Sequence, residues 1–268
     1  MRRIHLIVEY DGTNYAGWQR QSNALAVQQV LEEALGRLTR ETIVVHGASR
    51  TDAGVHALGQ SCHFDTDSRI PGEKFSYAVN TLLPPDIRVR LSEDAVPDFH
   101  ARFSTKGKRY RYLFYDDRHA GALNRFTHAH CIYPLDVARM QAEASALVGT
   151  HDFAAFAASG SVVRDTVRTI WRAEVTRSGH DVQLIVEGSG FLYNMVRIIA
   201  GTLRDIGSGK LAPGALKKAI ETGNRLDLGI TAPAHGLTLM EVFYDDSIRR
   251  HYDHDQCHAD ADEGGHCL

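Results

Sequence analysis

Cysteine is scarce in this 268-residue chain: Cys62, Cys131, Cys257 and Cys267 are the whole set, and no two form a CxxC pair. That excludes a disulfide framework and a structural zinc ribbon, and leaves free thiols as the expectation. Long apolar runs are missing too. The opening "MRRIHLIVEYDG" is broken by Glu9 and Asp11, so neither a signal peptide nor a membrane-spanning helix is expected, and the cytoplasm is the expected location. An excess of positive charge is also lacking, since the net charge is −3, which at first argues against a nucleic-acid partner. With 43% hydrophobic residues, however, the chain has the composition of an ordinary folded globule.

The charge is unevenly placed. Residues 245–268 hold seven acidic side chains against Arg249 and Arg250, a local balance of −5 that leaves residues 1–244 at +2. Within that body, Lys and Arg cluster in "STKGKRYRY" (104–112) and across 164–177, and clustering matters more for a polyanionic partner than the total does. After Tyr244 apolar periodicity stops, so 245–268 reads as an acidic tail without a packed core. Its His251, His254, Cys257, His258 and Cys267 are metal-ligand types whose spacing fits no structural zinc pattern; adventitious metal binding is the better reading.

Alternation and β-branched residues predict strands over 4–10, 42–49, 60–66 and 87–96. Helical spacing of Val27, Val30, Leu31, Ala34, Leu35 and Leu38 predicts a helix over 26–38, and a second helix over 72–83 stops at Pro84-Pro85. The first hundred residues thus read β-α-β-β-α-β, a ferredoxin-like order. The second half varies the theme: strand 108–116, helix 136–148, strands 169–177 and 182–188, helices 191–207 and 214–222, and a last strand 237–244. The fold class expected from the element order is α+β, two fused ferredoxin-like halves with antiparallel sheets over 1–105 and 106–244.

The segment "HGASRTDAGVH" (46–56) is too rich in Gly and Ala to pack a core, yet it carries Arg50 and Asp52. A helix cap is disfavoured by Gly54 and the lack of sustained period, whereas a plain turn residue is an open reading. If Arg50 and Asp52 face the same way, the guanidinium favours the charged carboxylate and fixes its orientation, as a nucleophile requires. Tyr110, Tyr112 and Phe114 alternate onto one face of a strand, and Arg197 sits in a helical period with Leu192, Val196 and Ile199. Taken alone, these read as a core stripe and a solvated or dimer-facing arginine. Lys106, Lys108, Arg109 and Arg111 form either a solvated strand edge or a track for RNA phosphate. "YDGTNYAGWQRQ" reads as a loop bordering the cleft, with Trp18 in it.

Together "HGASRTDAGVHA", "VEYDGTNYAGWQRQ", "KRYRYLFY" and "GFLYNMVR" resemble the TruA family of tRNA pseudouridine synthases, over about residues 1–244. The resemblance implies isomerisation of uridine to pseudouridine at positions 38, 39 and 40 of the tRNA anticodon stem-loop. It also implies two RRM-like halves of the chain whose antiparallel sheets flank a central cleft, a homodimer, and no metal or cofactor; no membrane partner is expected, since no spanning segment is present. It assigns Asp52 as the essential aspartate with Arg50 as its partner and Tyr110 as the active-site tyrosine. Arg197 becomes the basic residue holding the aspartate from the opposite half, and Leu192 the apolar contact of the reacting base. The reaction exchanges a C–N for a C–C glycosidic bond with no net oxidation, so a carboxylate suits it either as nucleophile or as base on a glycal route. A paired uridine must be flipped out and held by stacking, a use for Tyr110 and Leu192, with Lys106, Lys108 and Arg109 on phosphate. The acidic tail is not a feature of that family. Two rivals remain: a non-catalytic pair of RRM-like sheets, for which no RNP-type aromatic run exists, and a small-molecule lyase or isomerase, which the basic clusters disfavour.

Overall fold

Strand β1 (Arg2–Tyr10) alternates Ile4, Leu6, Val8 and Tyr10 into the core, and this period-2 burial seats it between two antiparallel partners, β3 (His56–Thr66) and β4 (Ile87–Ala95). Helix α1 (Val27–Thr39) buries Val27, Leu31, Ala34 and Leu35, the i, i+4, i+7, i+8 stripe read from the sequence, and ends where Arg40 turns left-handed. The short α2 (Phe75–Asn80) ends before Pro84 and packs on β4. The structure, a computed structural model, describes residues 1–157 and 165–244; the acidic tail and Arg164 of the second basic cluster lie outside the described residues.

One expected strand is nearly absent. In place of a strand over 42–49 there is only β2 (His46–Gly47), paired with β3. The reason lies in α1: Gln28 donates to the Val45 carbonyl and the Val45 amide donates to Glu32, so helix side chains take the backbone groups a ladder would use.

The second half contributes β5 (Gly107–Asp116), the short β6 (Ala129–Cys131), α3 (Val137–Ala144), β7 (Gly149–Asp152) and the hairpin β8 (Val167–Ser178) and β9 (Asp181–Gly188), whose turn uses Gly179 at φ 60°. Helices α4 (Met195–Gly207) and α5 (Ala215–Thr222) follow, and then β10 (Leu237–Phe243). The strands β6 and β7 are too short to carry a periodic signal. Helix α4 is buried on nearly every side, and Gly201 allows this: a Cβ there would lie 1.8 Å from the Ile230 carbonyl oxygen. It begins at Met195, not at 191, because Asn194 is left-handed at φ 61°; Leu192 therefore lies in the preceding loop.

The strands of both halves form one sheet, in the order β4-β1-β3-β10-β5-β9-β8-β7, with β2 and β6 pairing at its side. The last strand closes it: β10 runs parallel to β3 and antiparallel to β5. The antiparallel sheets expected of two halves are thus one mixed, mostly antiparallel sheet in an α+β fold. Tyr244, just past β10, donates to the Ala101 carbonyl and shares a hydroxyl hydrogen bond with Ser61, which stitches this strand to the first half. Among the described residues no helix is long and apolar enough to cross a membrane.

Candidate active site

The loop between β2 and β3 holds Asp52, and its backbone is pinned at several points. Gln60, fully buried on β3, accepts from the Ser49 amide at 3.2 Å and donates to the Ser49 carbonyl at 2.6 Å. Tyr10 and Thr51 share a hydroxyl hydrogen bond of 2.8 Å, and the Trp18 amide donates to the Thr51 carbonyl at 3.1 Å. The turn closes with the Val55 amide on the Asp52 carbonyl, while Gly54 takes φ 77°. Beneath it runs the 11–18 loop. Gly17, at φ 94°, approaches so closely that a Cβ would sit 2.4 Å from the Thr51 carbonyl oxygen, and one on Gly12 would sit 2.0 Å from that of Val55. Both sequence blocks are therefore one construction, the Asp52 loop resting on a glycine-bearing loop.

The carboxylate of Asp52 meets a cation from the other half of the chain. Arg197, in the first turn of α4, donates from its NH1 to Asp52 Oδ2 at 2.9 Å. The same nitrogen donates to Asn194 Oδ1 at 2.8 Å, and Nε donates to the Ala232 carbonyl at 2.9 Å. Three acceptors thus aim one guanidinium, whose own main-chain carbonyl accepts from the Ala232 amide. Both side chains keep about a fifth of their surface open, 18% for Arg197 and 21% for Asp52, so the pair borders the cavity instead of being sealed in the core.

Arg50, expected beside Asp52, is exposed and among the described residues makes no hydrogen bond or ion pair; the guanidinium on Asp52 is that of Arg197. Arg50 lines the cleft as an open cation. Tyr110 is buried on β5 at the cavity wall, and burial, reinforced by the charge of Asp52, pushes its phenol up to about 12, so it holds its proton at neutral pH. Phe191 packs edge-on against Tyr110 with ring centres 5.2 Å apart, and Leu192 lines the same wall. Phe191, the second residue of "GFLYNMVR", is a wall residue that the sequence reading did not single out. Its signal was its place in that block.

The basic strand divides by alternation. Lys108 shares the cleft-facing side with Tyr110, donates to the Ala48 carbonyl at 3.0 Å, and is pulled down to about 8 by burial. Arg109 faces the opposite side of the sheet, where Glu187 at 2.8 Å and Glu241 at 3.2 Å neutralise it. The expectation that Arg109 tracks phosphate in the cleft is corrected by this: consecutive residues of a strand point to opposite faces. Lys106 does not line the cavity either. The cavity, about 920 Å³, has room for a nucleotide, and four cations (Arg50, Arg102, Lys108, Arg197) line it against one carboxylate, Asp52.

The family model described as tRNA pseudouridine synthase matches residues 6–104 and 144–245, which carry Asp52, Arg197 and both glycine-bearing loops. Fold, site and match together define an isomerase that turns uridine in tRNA into pseudouridine. The chain belongs to the tRNA pseudouridine synthase family. Among its relatives, "tRNA pseudouridine synthase A" of Ruminiclostridium cellulolyticum is 52% identical over 91% of this chain and 100% of its own length. Those of Acetivibrio thermocellus and Bacillus licheniformis are 51% and 47% identical, each over 91% of this chain and 100% and 99% of their own lengths. Among solved structures, one described as "Crystal Structure of a Cbf5-Nop10-Gar1 Complex" overlaps 90% of this chain and 59% of its own, with 11% identity and a TM-score of 0.36, too remote to argue from.

Proposed function

We propose that this isomerase modifies uridines 38, 39 and 40 in the anticodon stem-loop of tRNA, with Asp52 as the nucleophile. The observation that carries the reading is the Asp52–Arg197 pair in a cation-lined cavity with room for a nucleotide. The names of the relatives supply the tRNA substrate, and the family resemblance supplies the positions.

In this reading a flipped uridine enters between Tyr110 and Leu192. Asp52 attacks C1′, the N1–C1′ bond breaks, and uracil leaves with the electron pair. The freed ring turns, C5 attacks C1′, and the Asp52 ester bond breaks. The C5 proton is then lost and N1 gains one, so the product has the composition of the substrate. Arg197 holds the carboxylate on line throughout, and Tyr110, protonated at neutral pH, stacks on the base or takes up the C5 proton as its own phenol proton passes on toward N1, ending protonated as it began. Arg50 and Lys108 take phosphate at the cleft wall. We read residues 1–105 and 106–244 as the two RRM-like subdomains joined by β10, and the working form as a cytoplasmic homodimer in which both subunits grip one anticodon arm. Light scattering should give twice the 29.7 kDa chain mass; a monomer at micromolar concentration refutes the dimer.

Asp52→Asn keeps the size and most of the hydrogen bonds of the side chain but removes its charge. Folding and tRNA affinity should survive, because affinity comes mainly from phosphate contacts, while pseudouridine mapped at 38–40 falls below detection. A folded Asp52→Asn enzyme with near wild-type turnover overturns the reading. A tRNA deuterated at C2′ of the target separates the routes: a primary isotope effect would assign Asp52 to sugar-proton abstraction instead of attack at C1′.

A further inference from the structure

Four rings that the proposed chemistry does not use stand on the first-half wall of the cleft. His46 on β2 stacks on His63 of β3 with centres 5.0 Å apart and planes 24° apart. His63 meets the edge of His100 at 4.7 Å, and His100 lies under Phe103 at 4.3 Å with a 33° tilt. The series climbs from a buried ring, His63, to Phe103, which is 76% exposed. His46, His100, Arg102 and Phe103 all line the same cavity as Asp52.

A lone exposed phenylalanine is ordinary. This one is held in place. The amides of Arg102 and Phe103 both donate to His100 Nδ1, at 3.2 and 3.3 Å, which fixes the ring under Phe103, and the Ala101 amide donates to His63 Nδ1 at 3.1 Å. With each Nδ1 accepting, each neutral ring carries its proton on Nε2. Burial, with the nearby Arg3 and His46, lowers both groups, so the step stays uncharged at neutral pH. No group of three His, Cys, Asp or Glu side chains among the described residues could hold a metal ion, so the histidines serve here as rings.

We infer that His100 and Phe103 form a second nucleobase site, a stacking shelf that receives one unpaired base flanking the flipped uridine. The cavity's charge selects the occupant. Arg102, whose guanidinium carbon is 5.8 Å from the Phe103 ring centre, and Lys108 stand on the same wall, so a base laid on Phe103 brings its phosphate among cations. An aromatic face beside cations in a groove continuous with the reaction site is how single-stranded nucleic acid is held, because every base has a π-face. The occupied shelf would hold the strand open while its neighbour reacts.

The inference rests on the cleft being the tRNA site, and its test separates the two. Phe103→Ala should weaken the affinity of an unmodified tRNA transcript about 5- to 150-fold, the range for losing one stacked base. Phe103→Trp should restore it, and circular dichroism should be unchanged because the side chain is exposed. Transcripts with an abasic residue walked through the anticodon loop should show one position where the abasic loss and the Phe103→Ala loss do not add. At that position 2-aminopurine fluorescence should be quenched by wild type and not by Phe103→Ala. An unchanged Kd in Phe103→Ala overturns the shelf, and so does additivity at every position, which would reduce Phe103 to a backbone contact. Pseudouridine mapping reads the other proposal independently: wild-type product outside 38–40 refutes those positions while the Kd cycle still judges the shelf.

Discussion

Replacing Arg197 with Met tests the site where its two halves meet. Methionine keeps most of the length of the side chain but removes three donated hydrogen bonds, to Asp52, Asn194 and Ala232. A hydrogen bond to a charged group is worth about 1.5–3 kcal/mol, and neutral ones about 1. Because Arg197 and Asp52 stay open to the cavity, water recovers part of this, and the net loss should be about 2–4 kcal/mol, or roughly 4–16 °C in Tm for a domain of this size. If Asp52 reacts as proposed, turnover should suffer more than stability, since that carboxylate loses the group that aims it; a fall of at least about 100-fold in kcat/KM is the scale for removing one such donor. The assay is thermal unfolding together with pseudouridine formation in a tRNA transcript, for Arg197→Met, Asp52→Asn and the double variant. Stability losses in the pair should be non-additive, with a coupling between about 0.5 and 3 kcal/mol. Additive losses, or an Arg197→Met enzyme of wild-type kcat/KM, would refute the claim that this ion pair organises the site.

Two further outcomes follow from burial and close approach. Lys108 is pulled down to about 8 in the fold against 10.5 unfolded, so between those pH values the unfolded chain binds more protons and wild-type stability gains with rising pH. Lys108→Met lacks that gain: its stability relative to wild type, read by urea unfolding at pH 7, 9 and 10, should decline across pH 8 to 10.5, and a flat difference would count against a buried lysine. Gly201→Ala places a methyl 1.8 Å from the Ile230 carbonyl oxygen and should destabilise by about 3 kcal/mol, the upper range for overpacking, where an ordinary helix position would gain from alanine. A Tm at or above wild type would show that the 229–232 segment gives way freely.

How much of this could be read from the chain depends on how far the determining interactions reach. Period-2 burial in β1 and the stripe of α1 are set by neighbours a few residues apart, and both appear as the sequence predicts. So does the burial of Tyr110, Tyr112 and Phe114 on one face of β5, and the same alternation, applied strictly, would have moved Arg109 out of the cleft. The loss of the strand over 42–49 was not legible, because Gln28 and Glu32 compete for the Val45 backbone from another element. Nor was the start of α4, where one left-handed Asn194 ends a helical pattern that runs on through Leu192.

The sequence by itself determined most of the longer strands and helices, the glycine-bordered loop that carries Asp52, and, through its motif blocks, the family. Only the tertiary structure decided that β10 closes both halves into one sheet, that Arg50 stands apart from Asp52 while Arg197 meets it as the resemblance implies, and that Phe103 lies on His100 at the cleft wall. Local propensity acts over a turn or a strand repeat. An ion pair 145 residues apart in the chain exists only after β10 has entered between β3 and β5 and α4 has been buried against them, and no local pattern encodes that distance.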